Sequence, residues 1–340
     1  MSALDQVRSQ PTPSLLESIL VCPACNGEVE QSAAGLWCRG CGHGWPLADG
    51  IPHFGGTDLR AHRLGIDDRW GVARAAAREG WDVALHDRLR ALDPRAYRQA
   101  VDEYRAQWRF VLPLTETSRI VDLNCGWGAA AFNLAESCGL VVAADACPAQ
   151  ARLVAHRARQ TGRHNLVALQ LGLDQPFPLR EASFDAVALV DGLAWQPDPA
   201  RQRRIVARAR ALLRPGGTFL LAEPNRLTVA PRPWSGPRGA RTPGGYARLL
   251  RSAGFHDLEL YAPAPSHLEP FFMIPLDRVE PLSYLFTAIL GRQDFGVQAR
   301  QRHGALLYAA ARLVASRLPG GLLARLARPI LPSTAIVARR

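Results

Sequence analysis

A doubly wound α/β fold is predicted by three features of this 340-residue chain. From residue 119 onward, strand-like and helix-like runs alternate. The first strand-like run, Arg119–Leu123, turns through Gly126 and Gly128 directly into the helix-forming stretch Ala129–Ala135. The chain then ends on "STAIVARR", another strand-like run, well separated from the strand before it. Glycines at a strand-to-helix turn let backbone approach a ligand, and the helix start offers unpaired N–H groups, so the binding site is expected beyond the carboxyl ends of the strands.

Each element has its own signal. "RIVDL", "GLVVAAD", "NLVALQL", "FDAVALV", "GTFLLAE" and "FHDLELYAP" are strand-like, and helical runs are predicted between the first five. Upstream, residues 67–112 read as a helical connector in which Trp70, Trp81, Tyr97, Tyr104, Trp108 and Phe110 recur at spacings that suit packing. Residues 230–245 are a Pro/Gly/Arg-rich loop with no room for a helix or strand. Residues 263–332 read as an insertion between the last two strands of one sheet, with an amphipathic helix near 297–318.

A hydrophobic content of 48% fits a folded chain with one large domain and something smaller. No apolar run approaches the roughly 20 residues of a membrane span. The N-terminal residues lack the apolar centre of a signal peptide, which makes the cytoplasm the expected compartment. Seven cysteines, an odd count, argue against a disulfide framework. The net charge is +11, but all 41 basic residues are arginine, a compositional bias that makes charge weak evidence for a nucleic-acid partner.

Two Cys-x-x-Cys pairs, Cys22/Cys25 and Cys38/Cys41, are separated by twelve residues, with Gly27 and Gly42 after the knuckles. Four thiolates at this spacing can close a tetrahedral structural zinc shell with no open position for chemistry. His43 reads as a surface residue rather than a fifth ligand. The stretch 15–54, with "LLESILVCPAC", "CRGC" and "WPLADGIP", resembles the Trm112-type zinc ribbon. That resemblance implies a scaffold role beside a methyltransferase.

The turn "DLNCGWG" by itself leaves nicotinamide cofactors, flavins and S-adenosylmethionine open, because Ala131 stands where a dinucleotide fingerprint wants its third glycine. Asp145, at the end of the second strand, is placed to take the hydroxyls of a ribose. With "VDLNCGWG", "VVAADAC", "PFPLREASFDAV" and "LLRPGGTFLLAE" in order, residues 119–262 resemble a class I S-adenosylmethionine-dependent methyltransferase of the type 11 kind. The resemblance implies a Rossmann-like sheet. It also implies that Asp122, Asn124, Cys125, Gly126 and Gly128 cradle the methionine end of the cofactor. Asp145 and Ala146 would serve the ribose end, and Asp191 with Gly192 the floor near the sulfonium. Leu171 falls where such enzymes commonly place an aspartate against the adenine amino group; backbone groups of Leu171 and Gly172, or Asp174, are the substitutes expected. Asn124 replaces a glycine, at a position that asks for a left-handed backbone.

The expected division is a flexible tail (1–14), the zinc ribbon (15–54), a linker and helical connector (55–112), the methyltransferase core (113–262 and 333–340) and a substrate cap (263–332). Asp191, Glu223 and His267 are the candidate bases for a hydroxyl acceptor. The cap residues Phe271, Phe272 and Met273 would help enclose an organic acceptor. The fourth strand is not followed by Asn-Pro-Pro-Tyr or by a Pro-Cys nucleophile. Three readings follow. The first is methylation of a small molecule or glycoconjugate intermediate, expected at oxygen; the others are RNA methylation through the ribbon and arginines, and a cofactor-binding scaffold without turnover.

Overall fold

The structure is a computed structural model that describes residues 13–32, 35–58, 64–227, 237–276 and 331–340. Its centre is an eight-stranded sheet. In chain order the strands are β1 (Arg119–Leu123), β2 (Leu140–Asp145), β3 (Leu166–Gln170), β4 (Phe184–Val190), β5 (Leu213–Pro224), β6 (His256–Pro265), β7 (Pro270–Pro275) and β8 (Ser333–Arg339). Their spatial order is β7-β6-β8-β5-β4-β1-β2-β3. Pairing is parallel from β5 through β4, β1 and β2 to β3, and antiparallel between β5 and β8, β8 and β6, and β6 and β7. All six residues of β2 are buried, as a parallel strand covered on both faces requires. The strand-like tail 333–340 does enter the sheet, between β5 and β6.

Five helices position the sheet: α1 (Ile66–Arg78), α2 (Ala129–Ala135), α3 (Pro148–Gln160), α4 (Pro199–Leu212) and α5 (Pro243–Ser252). On one face, Ala131, Leu134, Val154 and Ala158 of α2 and α3 pack with Ile120, Val141 and Ala143. On the other, Ile205, Leu212 and Leu250 of α4 and α5 pack with Val121, Val142 and Leu189. The connector is helical. Val72, Leu85 and Leu89 in it are fully buried against Trp127 and Leu153, beside the glycine turn.

Two expectations need correction. No helix lies between β3 and β4; the link carries Gly172, Pro176 and Pro178 and runs as a loop. The cysteine module fills the vacated face instead. Leu16, Ile19 and Leu20, in and after the helix Pro13–Ile19, join one apolar cluster with Phe177, Leu179 and Phe184. Backbone bonds from Val21 N–H to Pro178 O (3.1 Å) and from Arg180 N–H to Ile19 O (2.8 Å) fix the contact. The second correction is smaller: α5 begins inside the 230–245 loop, with Pro243 in its first turn and Thr242 Oγ1 accepting from Gly245 N–H at 3.0 Å.

Residues 263–276 of the expected cap form the end of β6, a short turn and the edge strand β7. The rest of that segment, including the helix expected near 297–318, lies outside the described residues, as does nearly all of the 1–14 tail. Among the described residues, no helix is long and apolar enough to cross a membrane.

Candidate active site

The turn after β1 is built for close approach. Asn124 adopts φ +65°, the left-handed conformation asked of it, and its Nδ2 donates to Val190 O (3.0 Å) and Asp191 O (2.9 Å). One side chain thus ties the end of β1 to the end of β4. Gly128, with φ +86°, is the residue before α2, and a Cβ there would lie 2.7 Å from Val154 Cγ2. Any larger residue would push α3 off the turn. Cys125 is buried, with its N–H donating to Ala144 O at 3.1 Å.

Two buried acids face this turn. Asp145 is fully buried; its Oδ2 accepts from Gly126 N–H (2.7 Å) and its Oδ1 from Cys147 N–H (2.9 Å). Asp122 is 2% exposed, and its Oδ2 is buried without a hydrogen-bond partner. Burial raises the Asp122 carboxyl to about 7, a shift that the Arg105 guanidinium opposes and the Asp145 carboxylate reinforces. A buried acceptor with no donor is costly unless a ligand completes it. A cationic ligand such as the ammonium of an amino acid would do so.

A shallow, open cleft lies beyond the strand ends. Asn124, Ala146, Leu171 and Gly192, all expected at the cofactor, line it, and so do Thr57 and Asp58 of the linker after the cysteine module. Of the backbone groups expected to replace the missing adenine contact, the N–H groups of Leu171 and Gly172 donate to Asp145 O and Gly55 O, both at 2.8 Å, and Gly172 O accepts from Gln175 N–H at 3.1 Å. Asp174, the other substitute, accepts from Thr57 N–H through Oδ1 at 3.0 Å.

The three candidate bases differ in their surroundings. Glu223 is fully buried and accepts from the N–H groups of Gly192 (3.0 Å), Leu193 (2.6 Å) and Ala194 (3.1 Å). It closes the turn Leu193–Trp195 and is sealed from any acceptor. Burial, with the nearby Asp191 charge, raises its carboxyl to about 8 despite those donors. Asp191 and His267 instead meet: His267 Nε2 lies 3.3 Å from Asp191 Oδ1. The β6–β7 turn reaches the site because β6 runs parallel to β5, so both end on the same side of the sheet. Ser333 Oγ accepts from His267 N–H at 3.0 Å and holds that turn. His267 is 8% exposed, and its Nδ1 is buried with no partner. Trp195 Nε1 donates to the same Asp191 oxygen at 3.3 Å.

Arg105 and Trp195 carried no signal in the sequence, one being a single arginine among forty-one basic residues and the other one of eight tryptophans. Arg105 Nη1 donates to Leu268 O at 3.0 Å, bracing the His267 turn from the connector. Next to it, Tyr104 and Phe271 have ring centroids 4.5 Å apart, and Phe271 and Phe272 4.8 Å. Both phenylalanines are about half exposed, whereas Met273 is partly buried and packs against the sheet core.

In the N-terminal module the sulfurs of Cys22, Cys25, Cys38 and Cys41 all lie within 4.8 Å of one another. A Cβ on Gly27 would sit 3.2 Å from Cys25 Sγ and 3.3 Å from Cys38 Sγ, so a side chain there would crowd two of the sulfurs. Four thiols held this close, with no disulfide among them, are a donor set that fits a tetrahedral zinc ion. His43 is exposed and packs at a tilt against Trp45, with ring centroids 5.1 Å apart.

Residues 120–217 match the family model described as a methyltransferase domain. A dimethylglycine N-methyltransferase of Parasynechococcus marenigrum is 29% identical over 119 residues, 33% of this chain and 39% of that protein. The ubiquinone/menaquinone biosynthesis C-methyltransferase UbiE of Acidiphilium cryptum is 32% identical over 112 residues, 33% of this chain and 44% of that protein. The chain thus spans less than half the length of these curated relatives. Among solved structures, Haemonchus contortus phosphoethanolamine N-methyltransferase 2, in complex with phosphomonomethylethanolamine and S-adenosylhomocysteine, is similar at TM-score 0.46. It is 14% identical, with 83% of this chain and 61% of that chain covered.

Proposed function

We propose that this chain, whose residues 120–217 are a methyltransferase domain, is an S-adenosylmethionine-dependent enzyme that methylates a hydroxyl of a small molecule or glycoconjugate intermediate. The observation that carries the oxygen acceptor is the Asp191–His267 pair, with a buried, unpartnered Nδ1 on a turn beside the cleft. When bound, the cofactor supplies an electrophilic methyl group on a sulfonium. His267 Nδ1 would take the proton that the acceptor hydroxyl loses on being methylated. Asp191 accepts from Nε2–H, which fixes the tautomer and balances the imidazolium that forms. The relatives are named for nitrogen and carbon acceptors, so the acceptor atom in this chain rests on its own residues.

Asp122 holds the ammonium of the cofactor in this reading, and the Asn124–Gly128 turn its methionine end. Asp145 serves the ribose, Gly192 the floor. The four cysteines hold a structural zinc in a Trm112-like ribbon, and the protein works in the cytoplasm. Following a labelled methyl group from the cofactor into a cell extract tests the acceptor class. Label in a ribonuclease-resistant small-molecule or glycolipid fraction supports the reading, whereas label in RNA would favour the nucleic-acid alternative.

Two consequences can be measured on the cofactor alone. Because burial raises Asp122 to about 7, an ammonium beside it is bound best by the ionised form. Affinity is therefore expected to strengthen as pH rises through about 7, and Asp122→Asn should flatten that profile in calorimetric titrations. Without cofactor the sign reverses: the native state holds protons on Asp122 and Glu223 that the unfolded chain has released, so stability should fall as pH rises from about 4.5 to about 8. Asp145→Ala should weaken cofactor binding about tenfold or more, since charge-assisted hydrogen bonds are each worth about 1.5–3 kcal/mol. It should also lower the melting midpoint, because the N–H groups of Gly126 and Cys147 lose their acceptor. An unchanged dissociation constant would remove Asp145 from the site.

A further inference from the structure

We propose that the aromatic ridge beside the His267 turn docks this protein on the surface of an anionic lipid bilayer, so that the methyl acceptor is a lipid-borne molecule. The docking stands on the surface itself, whereas the nature of the acceptor rests on the methyl-transfer reading above.

The ridge lies where a headgroup would have to arrive. The turn that carries His267 joins β6 to β7, and Phe271 and Phe272 are the second and third residues of β7. Tyr104, in the helical stretch Glu103–Val111, packs on Phe271, and Arg105 ties the same stretch to the turn through Leu268 O. Tyr104, Phe271 and Phe272 are each nearly half exposed, and Phe110 is 70% exposed. Large rings left side by side in water mark a surface that a partner covers.

Shape and charge select the partner. A soluble acceptor is taken up by a concave site that encloses most of it. Rings that pack on one another and still keep about half their surface in water offer a face instead. The flanking charge is cationic: residues 90–111 carry Arg90, Arg95, Arg98, Arg105 and Arg109 against Asp93, Asp102 and Glu103. Arg95 and Arg98 are exposed, and the Arg109 guanidinium lies 4.9 Å from the centroid of the Phe110 ring. Aromatic rings that enter the acyl boundary beside guanidiniums that meet phosphates are the chemistry of a protein held at an anionic lipid surface.

Flotation of the full chain with vesicles tests the docking, using phosphatidylcholine alone and phosphatidylcholine with about one third phosphatidylglycerol. A net charge of +11 attracts any anionic vesicle, so the decisive readout is the effect of removing uncharged rings. Replacing both Phe271 and Phe272 by serine is expected to lower affinity for the mixed vesicles about tenfold or more. Replacing both by leucine, which keeps apolar surface, should retain most of it. Phe110→Ser, at a ring that is already mostly in water, should lower it by a smaller factor. A parent that stays soluble beside the mixed vesicles, or a double serine variant that floats like the parent, overturns the docking surface. If light scattering shows that the serine variant loses self-association in place of vesicle binding, the ridge belongs to a second copy of the chain and the lipid assignment falls. Vesicle binding by a parent that gives no heat with S-adenosylhomocysteine supports the docking and contradicts the methyl-transfer reading.

Discussion

Replacing His267 by alanine is expected to slow methyl transfer about 10²–10⁴-fold, the usual contribution of a positioned general base, while leaving cofactor affinity near the parental value. The two readouts separate because His267 lies on the β6–β7 turn and touches the site through Asp191 rather than through the glycine turn that would hold the cofactor. Single-turnover rates with labelled cofactor, beside calorimetry on the same protein, make the comparison. Asp191→Asn should also be slow: it leaves the side chain in place but removes the charge that balances the imidazolium. Glu223→Gln should instead act mainly on stability, since Glu223 meets three backbone N–H groups and no solvent. If His267→Ala turns over at the parental rate, the acceptor is not activated by this pair.

The second large effect concerns the cysteine module. Composition and motif alone suggest that losing the metal loosens residues 15–54 and spares the core. The packing implies a larger response, because Leu16, Ile19 and Leu20 cover the sheet face where no crossover helix exists. Fully burying three such side chains is worth about 5–9 kcal/mol at 1.5–3 kcal/mol each, an upper bound for a compact unfolded chain. Chelation, or Cys38→Ser, should therefore lower the melting midpoint of the whole protein in one transition and expose apolar surface at Phe177 and Leu179. Two separate transitions, with the core midpoint unmoved, would show that the module is an appendage. Full zinc retention by Cys38→Ser would defeat the four-thiolate site.

What was legible in the sequence was local. The β1 turn, Asn124 in its left-handed position, the matched cysteine pairs and the strand at the chain end all have signals within a few residues. The Asp191–His267 pair was legible only as two separate candidates, because they are 76 positions apart and the order of β6 and β8 in the sheet brings them together. The missing helix after β3 was misread for a related reason. A βα alternation predicts a helix there, while the prolines in that link and the apolar face of a helix far upstream decide that the cysteine module takes its place. Thr57 and Asp58 reach the cleft, and Arg105 the His267 turn, from segments that look like linker and connector, and no spacing in those segments reports on long-range contacts.

Calorimetric titration of the full chain tests most directly whether the cleft beyond β1, β2 and β4 holds S-adenosylmethionine. One site per chain is predicted for S-adenosylmethionine, competed by S-adenosylhomocysteine and weakened by Asp122→Asn. No heat of binding with either compound, or tight binding of NADH in their place, would contradict it.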